Sequence, residues 1–322
     1  MPLWLWESAD EKQARERREG EQKASVAALQ AGKLPLQAQR RLQEQRKLGN
    51  NFFISDLTSS EHLLTQEAGY EPIGQVMGSA FYKVAYRGYF QGAYSNTGEL
   101  TVLTHAQLAA RELAVQRLRQ EAQMLGAHGV IGVHLKAGTY DWSTNLVEFT
   151  AIGTAIRVPG RRTDDKPFTS DFSGQEFWKL HQAGYWPKEI AFGVCSYYVH
   201  GDYQTRSVLN NFWGSGWANQ EITQFTQGFQ TARHLAISRL TQDIQRAKAQ
   251  GAVGMHIDME VEDIEYEVND RTYHDLLVQF IAVGTAIVHD QLSSRPQAAA
   301  PLTFYDLKDR TTSALEINNI DE

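Results

Sequence analysis

The chain has 322 residues, a formal net charge of −7 and a single cysteine, Cys195. The acidic excess argues against nucleic acid as a partner, because binding a phosphate backbone needs a surplus of lysine and arginine on one surface. One cysteine cannot form a disulfide framework within the chain or a cysteine-based zinc site, so a reducing compartment fits best. No apolar run approaches the roughly 20 residues of a membrane span, and the length suggests about two domains. The sequence therefore predicts a cytoplasmic protein.

The first 50 residues are predicted to form a charged helical segment with an aromatic head. Residues 7–29 and 36–48 are rich in charged, helix-favouring residues. The head holds Trp4 and Trp6, which the composition of this segment cannot bury. Aromatic residues are favoured anchors of protein interfaces. The head is therefore predicted to dock on a protein, with a membrane surface as the alternative.

An internal repeat dominates the rest of the chain. An offset of 115 residues pairs Asp56 with Asp171 and Gly78 with Gly193. The offset becomes 122 along a later helical stretch and 131 at the last strand, where the string GTAI occurs in both halves. These matches predict a tandem duplication whose second unit has two longer loops, because loops tolerate insertions best. The predicted division is the N-terminal segment 1–50, the first unit 51–160, the second unit 166–290 and a flexible acidic tail 291–322.

Each unit is predicted to fold as β-α-β-β with a short helical lead-in, which makes the protein α+β. A Ser-Asp pair before each lead-in helix and a glycine after it, Gly69 or Gly184, are typical helix punctuation. The long helix, at about 105–125, carries an apolar stripe at helical spacing. An antiparallel sheet packed on one helix satisfies this pattern. Strands are expected at 76–84, 131–135 and 146–156, and at the matching positions of the second unit.

Three stretches of the first unit resemble the YbjQ-like family. They are the long helix ending near Gly126, the string Val130-Ile131-Gly132-Val133 and the string at 149–155. The resemblance extends to the second unit and implies two tandem β-α-β-β domains of the YbjQ-like, dodecin-subunit-like type. It also implies a tendency to form ring-shaped homopentamers, and it implies the heavy-metal binding for which the family is named.

The stretch 253–262 alternates strictly between apolar and polar residues, which places its polar residues on one face of a strand. Imidazole and carboxylate groups in such a row could bind a divalent metal as a cofactor. Residues i and i+2 lie roughly 6.6–6.8 Å apart along a strand, so a solvated sheet face is the alternative interpretation. The alternation changes phase at 262–263, which predicts a bulge or bend. The candidate ligands are His256, Asp258, Glu260 and Glu262.

Polar residues that recur in both units are further candidates. The histidines, His134 and His256, are predicted to be hydrogen-bonded structural residues, with a metal ligand or pH switch as the alternative. Two arginines recur on the long helix of each unit. The second of them, Arg117 or Arg239, lies four residues before an acid, Glu121 or Asp243. Either an i,i+4 ion pair or a contact across a subunit boundary would explain them. The recurring residues are Arg111, Arg233, Arg117, Arg239 and His134.

The loops at 87–103 and 203–227 carry many aromatic residues. Loops are usually polar, so these are predicted to pack across subunit boundaries or to bind a protein partner. Together with the N-terminal head, the predicted interface residues are Trp4, Trp6, Tyr89, Phe90, Phe212, Trp213 and Trp217.

The sequence contains almost no signature of an enzyme. Cys195, His200 and Asp202 could suggest nucleophilic catalysis, but the first unit lacks all three at the matching positions, and thiols in apolar strands are usually inert. No phosphate-binding loop of the P-loop or Rossmann type is visible, so no catalytic residue is assigned. The sequence predicts a non-enzymatic, ring-forming scaffold that assembles with itself in multiples of five. A metal-binding protein of metal or stress response is the alternative, and an enzyme of unknown type is a remote one.

Overall fold

The computed structural model describes residues 9–48, 54–83, 96–140, 143–161, 166–210, 220–268 and 271–290. Within these residues the protein is α+β, with seven helices and two four-stranded sheets. None of the described helices combines the length and apolarity that crossing a bilayer requires. The elements are α1 (Ala9–Gln30), α2 (Leu36–Leu48), α3 (Ser59–Glu67), β1 (Glu71–Lys83), β2 (Gly98–Glu99), α4 (Thr101–Leu125), β3 (Gly129–Tyr140), β4 (Ser143–Arg157), β5 (Phe168–Thr169), α5 (Gly174–Gln182), β6 (Tyr185–Val199), α6 (Tyr203–Asn210), α7 (Thr223–Arg246), β7 (Gly251–Val268) and β8 (Arg271–His289).

The first sheet has the strand order β1-β4-β3-β5 and packs against helix α4. Strands β1 and β3 both pair antiparallel with β4, as the predicted unit requires. The predicted apolar stripe of α4 faces the core, where Val115, Leu118 and Leu125 are buried. The helix begins four residues earlier than predicted and ends at Gly126, whose φ of 73° is the left-handed conformation that glycine favours at a helix end.

The second sheet has the order β2-β6-β8-β7 and packs against helix α7. Strands β6 and β7 pair antiparallel with β8. Three small or apolar residues of α7, Ala232, Ala236 and Leu240, are buried against this sheet. Each sheet therefore contains two long strands that flank a third, with one long helix on a face.

Each sheet also contains a two-residue strand from the other part of the chain. Strand β5 pairs parallel with β3, and β2 pairs antiparallel with β6. Neither strand was predicted, because two residues are too few to show periodicity. These crossed strands connect the two sheets in addition to the linking chain.

The lead-in helices begin later than the Ser-Asp pairs suggested. The N-caps are Thr58 and Ser173, and each completes a capping box with a glutamate three residues further on. Asp56 and Asp171 precede these caps in non-helical backbone. The Ser-Asp pairs are therefore not helix starts, and their actual contacts are described below.

Matching bulges interrupt β3 and β7. The register between β7 and β8 shifts between Val253 and His256 and then continues unbroken to Val268. The prediction of a bulge at 262–263 is therefore wrong. Gly254 has a φ of 66° and Gly132, at the matching bulge of β3, has a φ of 62°. Glycine adopts this backbone conformation without steric cost.

Candidate functional site

Helix α4 lies between the two sheets and forms the contact that we call the seam. On one side it packs against β1, and on the other it contacts β6. Ile190 and Phe192 of β6 share one buried core with Ala110 and Ala114 of α4. The helix therefore closes its own sheet and also covers the face of the second sheet that α7 leaves free.

Polar contacts fix the orientation of the seam. The Gln107 amide of α4 donates a hydrogen bond of 2.5 Å to the Gln279 side chain of β8, and both residues are buried. Arg119 of α4 forms an ion pair of 3.2 Å with Glu189 of β6, and both side chains are less than 20% exposed. Charge-assisted hydrogen bonds at such low exposure are stronger and more directional than surface pairs. A 2.9 Å bond from the Ser196 N–H to Thr104 Oγ1 of α4 also crosses the seam. Outside the seam, a 2.8 Å ion pair joins Arg239 of α7 to Glu99 of β2.

Arg111 is buried at the seam, whereas the matching Arg233 is exposed. The Arg111 guanidinium lies 4.3 Å from the centre of the Phe149 ring and donates to the Gln107 carbonyl. Burial lowers the pKa of Arg111 to about 10, and the nearby Asp258 carboxylate opposes that shift. The two matching arginines therefore have different environments: Arg111 lies inside the seam, and Arg233 lies on the outer face of α7.

The acidic residues that recur on the long helices bind the edges of the first strands. Glu121 accepts a hydrogen bond of 2.9 Å from the Met77 N–H of β1. Asp243 accepts one of 3.0 Å from the Phe192 N–H of β6. Burial raises the pKa of both carboxyl groups. Each acid therefore satisfies a backbone donor of a strand, a role that neither alternative from the sequence included.

The recurring arginines of the same helices bind backbone carbonyls of the same strands. Arg117 donates to the Ser79 carbonyl, and Arg239 donates to the Val194 carbonyl. The strand and helix approach closely here, since a Cβ on Gly78 or Gly193 would lie 2.0 Å from a helix carbonyl oxygen. The glycine that pairs in the sequence repeat thus marks the point where each helix crosses its strand.

The outer edge of β3 is covered by the segment 168–172, which we call the inner lead-in. Four backbone hydrogen bonds of 2.7–3.1 Å join this segment to residues 128–133. The Phe168 ring lies over Gly129, where an added Cβ would be 2.1 Å from a ring atom. Thr169 and Ser170 are fully buried. The edge of the first sheet is therefore closed by strand addition from the second part of the chain.

The outer edge of β7 has no neighbouring strand among the described residues. The apolar side chains of residues 253–261 are 39–62% exposed, and an added Cβ on Gly251 would meet no atom within 4 Å. The alternation predicted the two faces correctly beyond the bulge, whereas the bulge places Val253 on the same face as His256. The alternation directed attention to the polar face, whereas the unusual feature is the exposed apolar row Met255, Ile257, Met259 and Val261.

The four predicted metal ligands share the opposite face of β7. His256 Nε2 lies 3.1 Å from Asp258 Oδ1, and both side chains are at least 70% exposed. The Glu260 carboxylate is 3.5 Å from the Gln279 amide nitrogen, and Glu262 is exposed. In the described ranges, no group of three or more histidine, cysteine, aspartate or glutamate residues is arranged to hold a metal ion. Metal binding by this row stays a prediction, and His134 is likewise exposed on β3.

The predicted interface residues lie outside the described residues. Nothing in the structure therefore tests their proposed contacts. The residues concerned are Trp4, Trp6, Tyr89, Phe90, Phe212, Trp213 and Trp217.

A buried carboxylate network lies at the end of β6. Asp275 is fully buried and accepts hydrogen bonds from the Tyr198 hydroxyl, from the Gly201 N–H at 2.9 Å and from His200 Nδ1 at 3.0 Å. His200 Nε2 lies 2.6 Å from the Arg206 guanidinium, a group that can only donate hydrogen bonds. The network anchors α6 to β8. The sequence did not indicate it, because its members are spread over 77 residues.

The network does not include the cysteine. Cys195 is buried, and burial raises the pKa of its thiol to about 11. A thiol with so high a pKa is almost entirely protonated at neutral pH and is a poor nucleophile. His200 is engaged with Asp275 and Arg206, so the residues that suggested catalysis do not form a nucleophile–base pair.

Comparisons with known proteins agree with the resemblance seen in the sequence. The YbjQ family model, described as "Putative heavy-metal-binding", matches residues 64–159. A UPF0145 protein of Enterococcus faecalis is 34% identical over 103 residues, which are 31% of this chain and 96% of that protein. No solved structure gives a significant match.

A longer relative covers most of the chain. An encapsulin nanocompartment protein of Mycobacterium tuberculosis is 35% identical over 242 residues, which are 73% of this chain and 85% of that protein. The match extends well beyond the region that the family model covers. The chain therefore belongs to the YbjQ-like family.

Proposed function

We propose that this chain is a non-enzymatic assembly protein, a tandem duplication whose two units form closed rings with the units of other chains. One observation carries the proposal: surfaces that the seam buries inside the chain are exposed at the matching positions of the other unit. Phe192 is 3% exposed in the seam, whereas the matching Met77 of β1 is 45% exposed. Arg111 is buried in the seam, whereas Arg233 is exposed on α7.

We take these exposed surfaces as the two halves of a further seam. Met77 on the outer face of β1 matches Phe192 in the face of β6 that the seam covers, and Arg233 on the outer face of α7 matches Arg111 of α4. A contact between two different surfaces can repeat from chain to chain and closes into a ring when the rotation permits. The chain thus carries the two halves of a further seam, one at each end.

The family resemblance supports five chains, or a multiple of five, in the assembly. A single ring that repeats the seam contains an even number of units, because every chain contributes two, so five chains would form one ring of ten units. Two stacked rings of five units are the other arrangement, in which the seam would join the two rings. Ring closure would also cover exposed strand edges and apolar faces, which favour uncontrolled association when left free.

The M. tuberculosis relative supports an assembly role, since it is named as an encapsulin nanocompartment protein. We propose that this chain likewise assembles in the cytoplasm and that its assembly is connected with a nanocompartment. The engagement of His200 in a structural network and the burial of Cys195 support a function without catalysis. A protein partner for the aromatic loops and the N-terminal head belongs to the same proposal.

Native mass spectrometry of protein purified without chelators tests the proposal. We expect five chains or a multiple, with no stoichiometric metal adduct. Met77→Lys places a charge on the exposed face of β1 and should reduce the particle to single chains of 36.3 kDa. Val26→Lys on α1 is the matched control, because Val26 is 47% exposed and lies on a helix that packs mainly against α2. A wild-type protein that is monomeric at micromolar concentration would overturn the proposal.

A further inference from the structure

We infer that each joint between chains is completed by strand addition, in which residues 54–57 of one chain pair with the outer edge of β7 of a second copy. The inference rests on the ring assembly proposed above and names the surface that receives the neighbouring chain. We call residues 54–57 the outer lead-in. Its acceptor is the stretch 250–255 at the start of β7.

The inner lead-in supplies the template for this joint. It adds to the edge of β3 through four backbone hydrogen bonds to residues 128–133. Positions 169–172 match the outer lead-in, which lies 115 residues earlier in the sequence. Residues 128–133 match residues 250–255, which lie 122 residues later. One chain therefore contains an occupied joint and the two separate parts of an empty one.

The outer lead-in already has the local geometry of its bound counterpart. The Asp56 N–H donates to Thr154 Oγ1 at 3.1 Å, and the Asp171 N–H donates to Thr285 Oγ1 at 3.2 Å. One residue later, the Leu57 N–H donates to Ser55 Oγ at 3.0 Å, and the equivalent bond of the inner lead-in has the same length. A segment that is ordered before it binds loses less conformational entropy on binding.

Burial separates the two lead-ins. Ile54 is 59% exposed, whereas its counterpart Thr169 is fully buried against β3 and β6. Ser55 is partly exposed, whereas Ser170 is fully buried. The outer lead-in therefore has the shape of a bound strand without the edge that would cover it.

The acceptor edges differ in the same way. Ile131 and Val133 are buried in β3, whereas the matching Val253 and Met255 are exposed in β7. Gly129 lies under the Phe168 ring, whereas Gly251 has open space above it. The residue that matches Phe168 in the sequence is Phe53, which lies outside the described residues. Both acceptor edges contain the bulge glycine with positive φ, so the backbone that receives the strand is the same.

An exposed strand edge recruits another strand through its free N–H and C=O groups, and side-chain pockets then set the specificity. The occupant of the β7 edge is a second copy of this chain, because the chain itself carries the matching segment. The joint is heterologous, with a donor on one chain and an acceptor on the next. It therefore predicts that two differently disabled chains can still form one joint.

Two variants test the inference, each measured by native mass spectrometry. Gly251→Leu fills the acceptor at a position where no atom lies within 4 Å. Ile54→Lys places a charge on the donor at a side chain that is exposed within the chain. Gly20→Leu, at an exposed glycine of α1 with equally open surroundings, is the control and should assemble like wild type. Thermal unfolding of each variant establishes that it is folded.

Each variant should lose assembly and have the mass of one chain. An equal mixture of the two should give a dimer, because the intact donor of Gly251→Leu fits the intact acceptor of Ile54→Lys. If wild type and both variants all form the full assembly, the strand joint is wrong while the assembly function stands. A mixture that stays monomeric would also overturn it. A monomeric wild type would instead remove the assembly function itself.

Discussion

Strands β3 and β7 occupy the same place in their sheets but have opposite surroundings. Both follow a long helix, pair with the long strand that comes next in the chain and contain a bulge at a glycine of positive φ. The outer edge of β3 is covered by the inner lead-in, and that of β7 is free of strands in the described residues. The difference lies in what comes next along the chain. The first sheet is followed by a second lead-in, and the second sheet is followed by none in the described residues.

The comparison shows that the exposed apolar row of β7 is not explained by the strand itself. Large exposed apolar patches on proteins usually mark interaction surfaces. In β3 the matching Ile131 and Val133 are buried in two core clusters. In the proposed assembly the exposure of β7 reflects the absence of the neighbouring chain, and substitutions at matching positions can measure that absence.

The largest expected difference is between Gly129→Leu and Gly251→Leu. A side chain at residue 129 would overlap the Phe168 ring, since even its Cβ would lie 2.1 Å from a ring atom. Such overpacking costs roughly 3 kcal/mol or more of unfolding free energy. A leucine at residue 251 meets open space and should change stability by less than about 0.5 kcal/mol in the single chain. Urea unfolding at concentrations where the chains are separated measures both values.

Equal losses of stability at the two positions would contradict this comparison. They would mean that β7 is covered within a single chain, so that no surface is left for a neighbour. A loss at residue 251 that appears only at high protein concentration would instead sharpen the comparison, because it would report assembly.

The second contrast is between Arg111→Met and Arg233→Met. Arg111→Met removes a buried guanidinium from the Phe149 ring and from the Gln107 carbonyl, and it leaves Asp258 without its nearby cation. We expect a loss of about 2 kcal/mol, from the combined cation–π and charged hydrogen-bond contributions. Arg233 is exposed, so Arg233→Met should be neutral to within about 0.5 kcal/mol in the single chain.

Circular dichroism during thermal unfolding provides the readout for this pair. Arg233→Met should weaken the assembly even though it leaves the stability of the single chain unchanged, because the matching Arg111 is buried at the seam. An Arg233→Met variant that assembles as well as wild type would show that the outer face of α7 does not repeat the seam.

The sequence predicted the elements that depend on periodicity. The apolar stripe located α4 with the correct end at Leu125, and alternation gave β7 its two faces. The paired glycines of the repeat mark real close approaches, as the short Cβ distances at Gly78 and Gly193 show. These features are local, since each follows from the spacing of residues within one helix or strand.

The seam could not be predicted, because it depends on which helix meets which sheet. The crossed strands β2 and β5 contain two residues each and leave no pattern in the sequence. The Ser-Asp pairs looked like helix caps because Ser and Asp are good caps. In the structure they position the lead-ins through Thr154 and Thr285. The actual caps, Thr58 and Ser173, also belong to the residue types that favour N-caps, so only the fold distinguishes these roles.

The smallest expected effect concerns the buried acids at the strand edges, which behave alike in both units. Burial raises the pKa of Glu121, so the folded chain binds this proton more tightly than the unfolded chain does. The carboxyl therefore contributes most to stability below its usual value of 4.5, and that contribution is lost as the pH rises through the raised pKa. Glu121→Gln keeps an acceptor for the Met77 N–H and should change stability at neutral pH by no more than about 1 kcal/mol.

Stability measured against pH checks this point. The unfolding free energy of wild type relative to Glu121→Gln should decrease as the pH rises, because only the carboxyl has to lose a proton. Asp243→Asn should show the same trend, since burial also raises the pKa of Asp243 and its carboxylate binds the Phe192 N–H in the same way. A trend in the first unit without one in the second would show that Arg246, which lies 2.8 Å from Asp243 Oδ1 and lowers the pKa of that acid, offsets the effect of burial there. Matching trends would show that the helix–strand contact sets the behaviour of both acids, whether or not a neighbour covers the unit.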